Sequence, residues 1–187
     1  MIFLHAWDLT NFKALFIMSL TMHAASAEVC APMLRNLLTW LDKAEAHAKS
    51  RGFDSQVFLS TKLSPDMLAF GKQVVIASEM ARITVARLAG IDLPVAQGSD
   101  ESFEMLRVRV QDAITFIEGI SSAQLEGSAE RAVVLPQRQG DPLHFTGQTF
   151  LQQWALPSFF FHVTTTYALL RQAGVTLGKA DYLGAIN

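Results

Sequence analysis

The stretch FFFHVTTTYALLRQAG, residues 159–174, decides how this chain is read. Phe161, Leu169 and Leu170 fall at helical spacing, Arg171 stands where a cation suits the carbonyl end of a helix, and Gly174 is placed for a left-handed cap. Traced back through Ala155, Trp154 and Leu151, the spacing predicts a helix over 148–173, kinked at Pro157 just ahead of His162. Ser158, His162, Thr165 and Leu169 recur at steps of four, three and four and share one face. With Phe161 beside it, that face is expected to point at the core, where polar groups need partners. Thr164, Thr165 and Thr166 can bond back to carbonyls one turn earlier. His162 either satisfies a neighbour in the same way or lines a pocket as ligand or proton carrier, its ordinary pKa lying near neutrality.

Upstream, three more helical patterns appear. Val29, Met33, Leu37, Leu41, Ala44 and Ala48 predict a helix over 22–49, with Pro32 marking a bend or late start and Gly52 a left-handed cap. Met67, Val74, Ala77, Ala81, Val85 and Leu88 predict a second over 65–89, with Ser64 as N-cap, Pro65 and Asp66 in the first turn and Gly90 at the end. Phe103, Leu106, Val110, Ile114 and Ile117 predict a third over 101–120, capped by Ser99 or Asp100. Between the third and fourth, RAVVL and LHF flank a Gln139-Gly140-Asp141-Pro142 turn and read as a small hairpin. The tail after Gly174 is expected to be irregular. The fold expected is all-α: a four-helix bundle with a long crossover and a small β-hairpin between helices three and four.

At 187 residues, half of them apolar, the chain suffices for one domain with a real core. Residues 1–21 read as an N-terminal extension and 22–187 as the single domain. KALFIMSLTMHAASAE (13–28) imitates a secretory leader, but Asp8, the lack of a basic cluster and His23 favour a helix that reads through; Met18 is an alternative start. Fifteen Lys and Arg against 17 Asp and Glu give a net charge of -2 and no basic stripe, so nucleic acid is not an expected partner, and no apolar run is long enough to span a membrane. Cys30 is a lone cysteine, which fits a reducing, cytoplasmic setting, and it reads as a small core residue.

Metal and nucleophile signals are thin. Neither Ser158 nor Thr166, one turn to either side of His162, is a histidine; His144 and His47 lie far off in sequence. Ser158 and His162 lack an orienting acid, and GKADYLG (178–184) lacks the strand and loop of a phosphate site. On helix two, Asp66 and Gln73 are seven apart, hence on one face.

The motifs LDKAEAHAKSRGFD (41–54), LSPDMLAFGKQV (63–74), ARLAG (86–90), LHFTGQTFL (143–151) and LPSFFFHVTTTYALLRQAGVTLGKADYLG (156–184) occur in that order. Together they resemble an uncharacterised bacterial domain-of-unknown-function family of the DinB/YfiT-like superfamily. The resemblance runs from about Met22 to Gly184 and implies a four-helix bundle with a long crossover. Active members of that superfamily often hold a divalent metal on one histidine of helix two and an H-x-x-x-H of helix four. Counting back from LLRQAG places His162 at the second helix-four position, Ser158 at the first and Gln73 at the helix-two position, so one of three ligands is kept.

Three expectations follow. The first is a small molecule bound in a central pocket lined by Asp66, Gln73, Ser158, His162 and Thr165, with His162 as the catalytic candidate and no complete metal site. The second is a non-catalytic homodimer using Trp154, Phe159, Phe160 and Phe161. The third is a divalent-metal transferase or hydrolase of the superfamily type.

Overall fold

The computed structural model describes residues 20–137 and 139–185. Most of the extension expected over 1–21 therefore lies outside the described residues. Helix α1 spans Met22–Arg51, its start capped by the Thr21 hydroxyl on Ala24 N–H and its end by Gly52 at φ 74°. It runs unbroken through Pro32, because Pro32 and Glu28 are both exposed and the carbonyl deprived of its donor is open to water. The buried stripe is shifted from expectation in the first half: Cys30 and Leu34 are buried where Val29 and Met33 are only partly so. Leu37, Leu41, Ala44 and Ala48 are buried as expected, and Trp40 joins them.

Helix α2 spans Phe70–Ala89, five residues shorter at its start than the sequence suggests. Ser64, Pro65 and Asp66 form a separate turn instead: the Ser64 hydroxyl donates to Asp66 Oδ1 at 2.6 Å and Met67 N–H to Ser64 O at 3.0 Å. The helix begins where Phe70 enters the core, its N–H bonded to Thr61 O at 2.8 Å. Helix α3 spans Phe103–Glu118, with Ser102 as N-cap in place of Ser99 or Asp100. All five of its expected core residues are buried.

Short 3-10 turns at Ser122–Leu125 and Ser128–Glu130 lead to the hairpin of β1 (Ala132–Leu135) and β2 (Leu143–Thr146), antiparallel with Val133 opposite Phe145. The fourth helix comes in pieces: α4 (Gly147–Phe150), a π-helical segment Leu151–Ala155, and α5 (Leu156–Gln172). Pro157 thus opens α5, and the distortion it causes is taken up as a wider turn just before it. Gly174 at φ 89° and Val175 N–H on Leu170 O close the helix. The tail is not irregular throughout: α6 (Lys179–Leu183) docks on α1, with Trp40 Nε1–H on Asp181 O at 2.9 Å and Tyr182 stacked on Trp40.

Helix α2 packs most extensively on α5, then on α3, and α1 sits chiefly against α3. The consecutive pair α2 and α3 pack together, whereas α3 and α5 are not among the extensively contacting pairs, so the α3-to-α4 connection crosses the bundle. The α2–α5 interface carries the polar positions singled out in sequence.

Candidate functional site

Gln73 follows Phe70 by three residues on the inward face of α2, so its amide is aimed into the α2–α5 interface and is 1% exposed. On α5, Phe159, Val163 and Thr166 form the inward row, which leaves His162 at its edge and half-buried. The two side chains meet: His162 Nδ1 and Gln73 Oε1 are 2.7 Å apart. Gln73 Nε2 donates to Leu68 O at 3.1 Å, which orients the amide with its oxygen towards the ring. A carbonyl oxygen only accepts, so Nδ1 carries the proton and Nε2 keeps its lone pair. Nε2 has no hydrogen-bond partner among the described residues. Burial lowers the His162 pKa below its ordinary value, so the ring is neutral at physiological pH.

Around the ring, Thr166 donates to His162 O at 2.9 Å and fixes the backbone. Phe161 stands edge-on to the imidazole, with centroids 5.2 Å apart, and is 55% exposed rather than turned to the core as its spacing suggests. Leu68, whose carbonyl holds Gln73, is 47% exposed. The imidazole thus has one exposed apolar neighbour, Phe161.

The five expected site residues are not all brought together. Gln73 and His162 are bonded, and Ser158 lies one turn before His162, about 6 Å along the axis, half-buried and without a described hydrogen-bond partner. Thr165 is buried and its hydroxyl donates to Phe161 O at 2.7 Å, so it serves the helix rather than a ligand. Asp66 is fully exposed, and the Ser64 hydroxyl holds its carboxyl below the usual carboxylate range. No hydrogen bond joins Asp66 to the other four. A 630 Å³ cavity lies elsewhere, on the outer side of α3 against α1, lined by Leu38, Asp42, Arg107 and Asp112 among others. Of the four aromatics expected at a homodimer contact, Phe159 is core, Trp154 and Phe160 pack against the core, and Phe161 is exposed.

The family described as "Domain of unknown function (DUF1993)" matches residues 22–183. The chain belongs to the DUF1993 family. The crystal structure of a DinB family member protein from Shewanella denitrificans is 35% identical in sequence, with a TM-score of 0.79 over 88% of this chain and 93% of that one. No curated protein matches. The DinB-like helical fold with its small hairpin, expected from the motifs, is the fold of this DUF1993 chain.

The metal implied by the superfamily resemblance does not fit the residues of this DUF1993 chain. The Gln73 oxygen is spent on an N–H and its nitrogen on a carbonyl, which leaves one imidazole nitrogen and the neutral Ser158 hydroxyl. Zinc or nickel would need at least three imidazole, thiolate or carboxylate donors. Among the described residues no group of three or more His, Cys, Asp or Glu is placed to hold an ion.

The reading from sequence missed Leu68, since a helix starting at Pro65 would have tied its carbonyl to a later N–H. It also missed Arg82, which is 1% exposed and bonds Glu79 Oε2 at 3.0 Å and Pro94 O at 2.7 Å beneath Phe116. Its signal was a charge set beside Ala81 and Val85 in the apolar stripe of α2.

Proposed function

We propose that this protein binds a small protic molecule with an apolar portion, using His162 as a hydrogen-bond acceptor of fixed tautomer instead of as a metal ligand. The observation that carries the reading is the relay from Leu68 O through the buried Gln73 amide to His162 Nδ1, which leaves Nε2 without a hydrogen-bond partner among the described residues. A buried amide spent wholly on orienting an exposed-edge imidazole is a costly arrangement for packing alone. Phe161 supplies exposed apolar surface beside the imidazole, and Ser158, one turn earlier on the helix, offers a hydroxyl.

Gln73 is neutral, so it fixes the tautomer without stabilising an imidazolium as a carboxylate would. With the ring pKa already lowered, this favours accepting a hydrogen bond over taking a proton fully. The reading is therefore binding first, with proton transfer confined to a ligand acidic enough to give its proton to a weak base.

The test is a screen of alcohols, phenols, thiols and amides against the ¹⁵N-labelled protein by NMR. Binders are expected to move His162 Nε2 and to lose affinity in His162→Ala with the fold retained. A screen that yields no binder at His162, or binders indifferent to His162→Ala, refutes the reading.

A further inference from the structure

The far end of α2 carries a feature that the His162 site does not use. Arg87 lies in the last turn of the helix, Gly90 ends it at φ 68°, and Ile91 and Asp92 pass alongside β1. Between them lies a cavity of about 270 Å³, lined by Arg87, Gly90, Asp92, Arg131 and Val133 among others. Gln73 and Arg87 are fourteen residues apart on one helix, about 21 Å at about 1.5 Å per residue, so the two sites are at opposite ends of the bundle.

Arg87 and Arg131 both face this cavity, and neither has a carboxylate in ion-pair reach among the described residues. Arg35, Arg82, Arg107 and Arg109 each have at least one. Asp92 lines the same cavity and pairs with neither arginine. The carbonyls at the end of α2 do not substitute for a counter-ion, because those of Ala86 and Arg87 accept from Ile91 and Gly90 N–H. The Arg131 guanidinium rests directly over Gly90: a Cβ there would stand 2.0 Å from Nη1 and 3.0 Å from Cζ. Gly90 thus does two things, taking the left-handed cap and leaving bare backbone on which that guanidinium lies.

Two guanidinium-bearing side chains lining one small cavity suit the oxygens of a phosphate, each able to give paired N–H bonds. The volume is at the small end for ligand sites, enough for a phosphate with a short body. We infer that this cavity binds a small soluble phosphomonoester, its phosphate between Arg87 and Arg131 and a hydroxyl or amine of its body donating to Asp92.

Calorimetric titration of the full chain at low ionic strength, with inorganic phosphate, glycerol phosphate and glycerol, tests this. Saturable one-site binding of both phosphates and none of glycerol is expected. Arg87→Gln and Arg131→Gln should each weaken binding by about tenfold or more, and Asp92→Asn should abolish any preference for glycerol phosphate over inorganic phosphate. Both arginines are exposed and unpaired, so the variants should keep the wild-type melting temperature; Arg→Lys changes, which keep charge but lose the fork, should weaken binding as well. His162→Ala should leave it unchanged, which separates this site from the other. Absence of saturable binding, or wild-type affinity in the double Arg→Gln variant, overturns the proposal. Binding confined to phosphatidic acid vesicles also overturns it, since the phosphate would then be a lipid headgroup.

Discussion

Gln73→Leu removes the relay behind His162 while keeping the α2–α5 interface filled with a side chain of similar size. Two hydrogen bonds go, one to Leu68 O and one from His162 Nδ1. At about 1 kcal/mol net each the loss is about 2 kcal/mol. Burying an apolar side chain where Gln73 is 1% exposed returns part of it, and the half-exposed Leu68 and His162 recover some bonding from water. The net destabilisation should be about 1–2 kcal/mol, a fall in Tm of about 2–8 °C for a chain of this size. Guanidinium denaturation measures this, and the His162 ring nitrogens report the rest by NMR. Without Gln73 nothing holds the proton on Nδ1, so the ring should shift to a mixture of tautomers and affinity for His162 ligands should drop with it. Stability within about 0.3 kcal/mol of wild type together with unchanged His162 nitrogen shifts would refute the reasoning, since both bonds would then be dispensable.

Other consequences follow from the same structure. Because burial lowers the His162 pKa, the unfolded chain takes up a proton at higher pH than the folded one; stability should therefore fall as pH drops below the ordinary histidine value of about 6.5, until the folded ring itself protonates, and be unaffected above it. His162→Gln should flatten that part of a urea-midpoint profile, and a difference between the two proteins that does not change with pH contradicts it. Cys30 is buried in the core with its thiol pushed up to about 12, so the native protein should resist thiol reagents that label it fully once unfolded; rapid labelling in the native state counts against the core placement. Arg82→Met should cost about 2–4 kcal/mol by chemical denaturation, because it strands Pro94 O and leaves Asp112 Oδ2, already without a hydrogen bond, facing no charge; a neutral result would show the buried guanidinium to be replaceable by apolar packing.

The bundle was legible because its core rows are regular. Phe103, Leu106, Val110, Ile114 and Ile117 on α3, and Val74 through Leu88 on α2, are buried as their spacing requires. Gly52, Gly90 and Gly174 end their helices in positive φ as expected. Helix starts were harder. Ser64-Pro65-Asp66 has the composition of an N-terminus, but the side chains bond each other and the helix waits for Phe70. Pro157 was read as a kink, and the chain answers with a π-helical turn ahead of it, a choice that depends on how α4 and α5 both reach the core. Of the site, the Gln73–His162 pair was legible as polar residues on inward faces, and the structure joins them. For Thr165 the sequence left two readings open, a ligand contact or a bond back to its own helix, and its hydroxyl bonds back to Phe161 O. Asp66 was misleading because its place on a shared face with Gln73 presumed a helix that does not extend so far. The Arg131 guanidinium over Gly90 joins residues distant in the chain, and no local pattern announces it.

The central claim is that His162 is a neutral ring protonated on Nδ1 with Nε2 free. A long-range ¹H–¹⁵N spectrum of the wild-type protein near about pH 7 reads this directly. His162 should show a protonated-type Nδ1 and an unprotonated-type Nε2, with the Nδ1 signal lost from that position in Gln73→Leu. A proton on Nε2, or a doubly protonated ring at that pH, would contradict it.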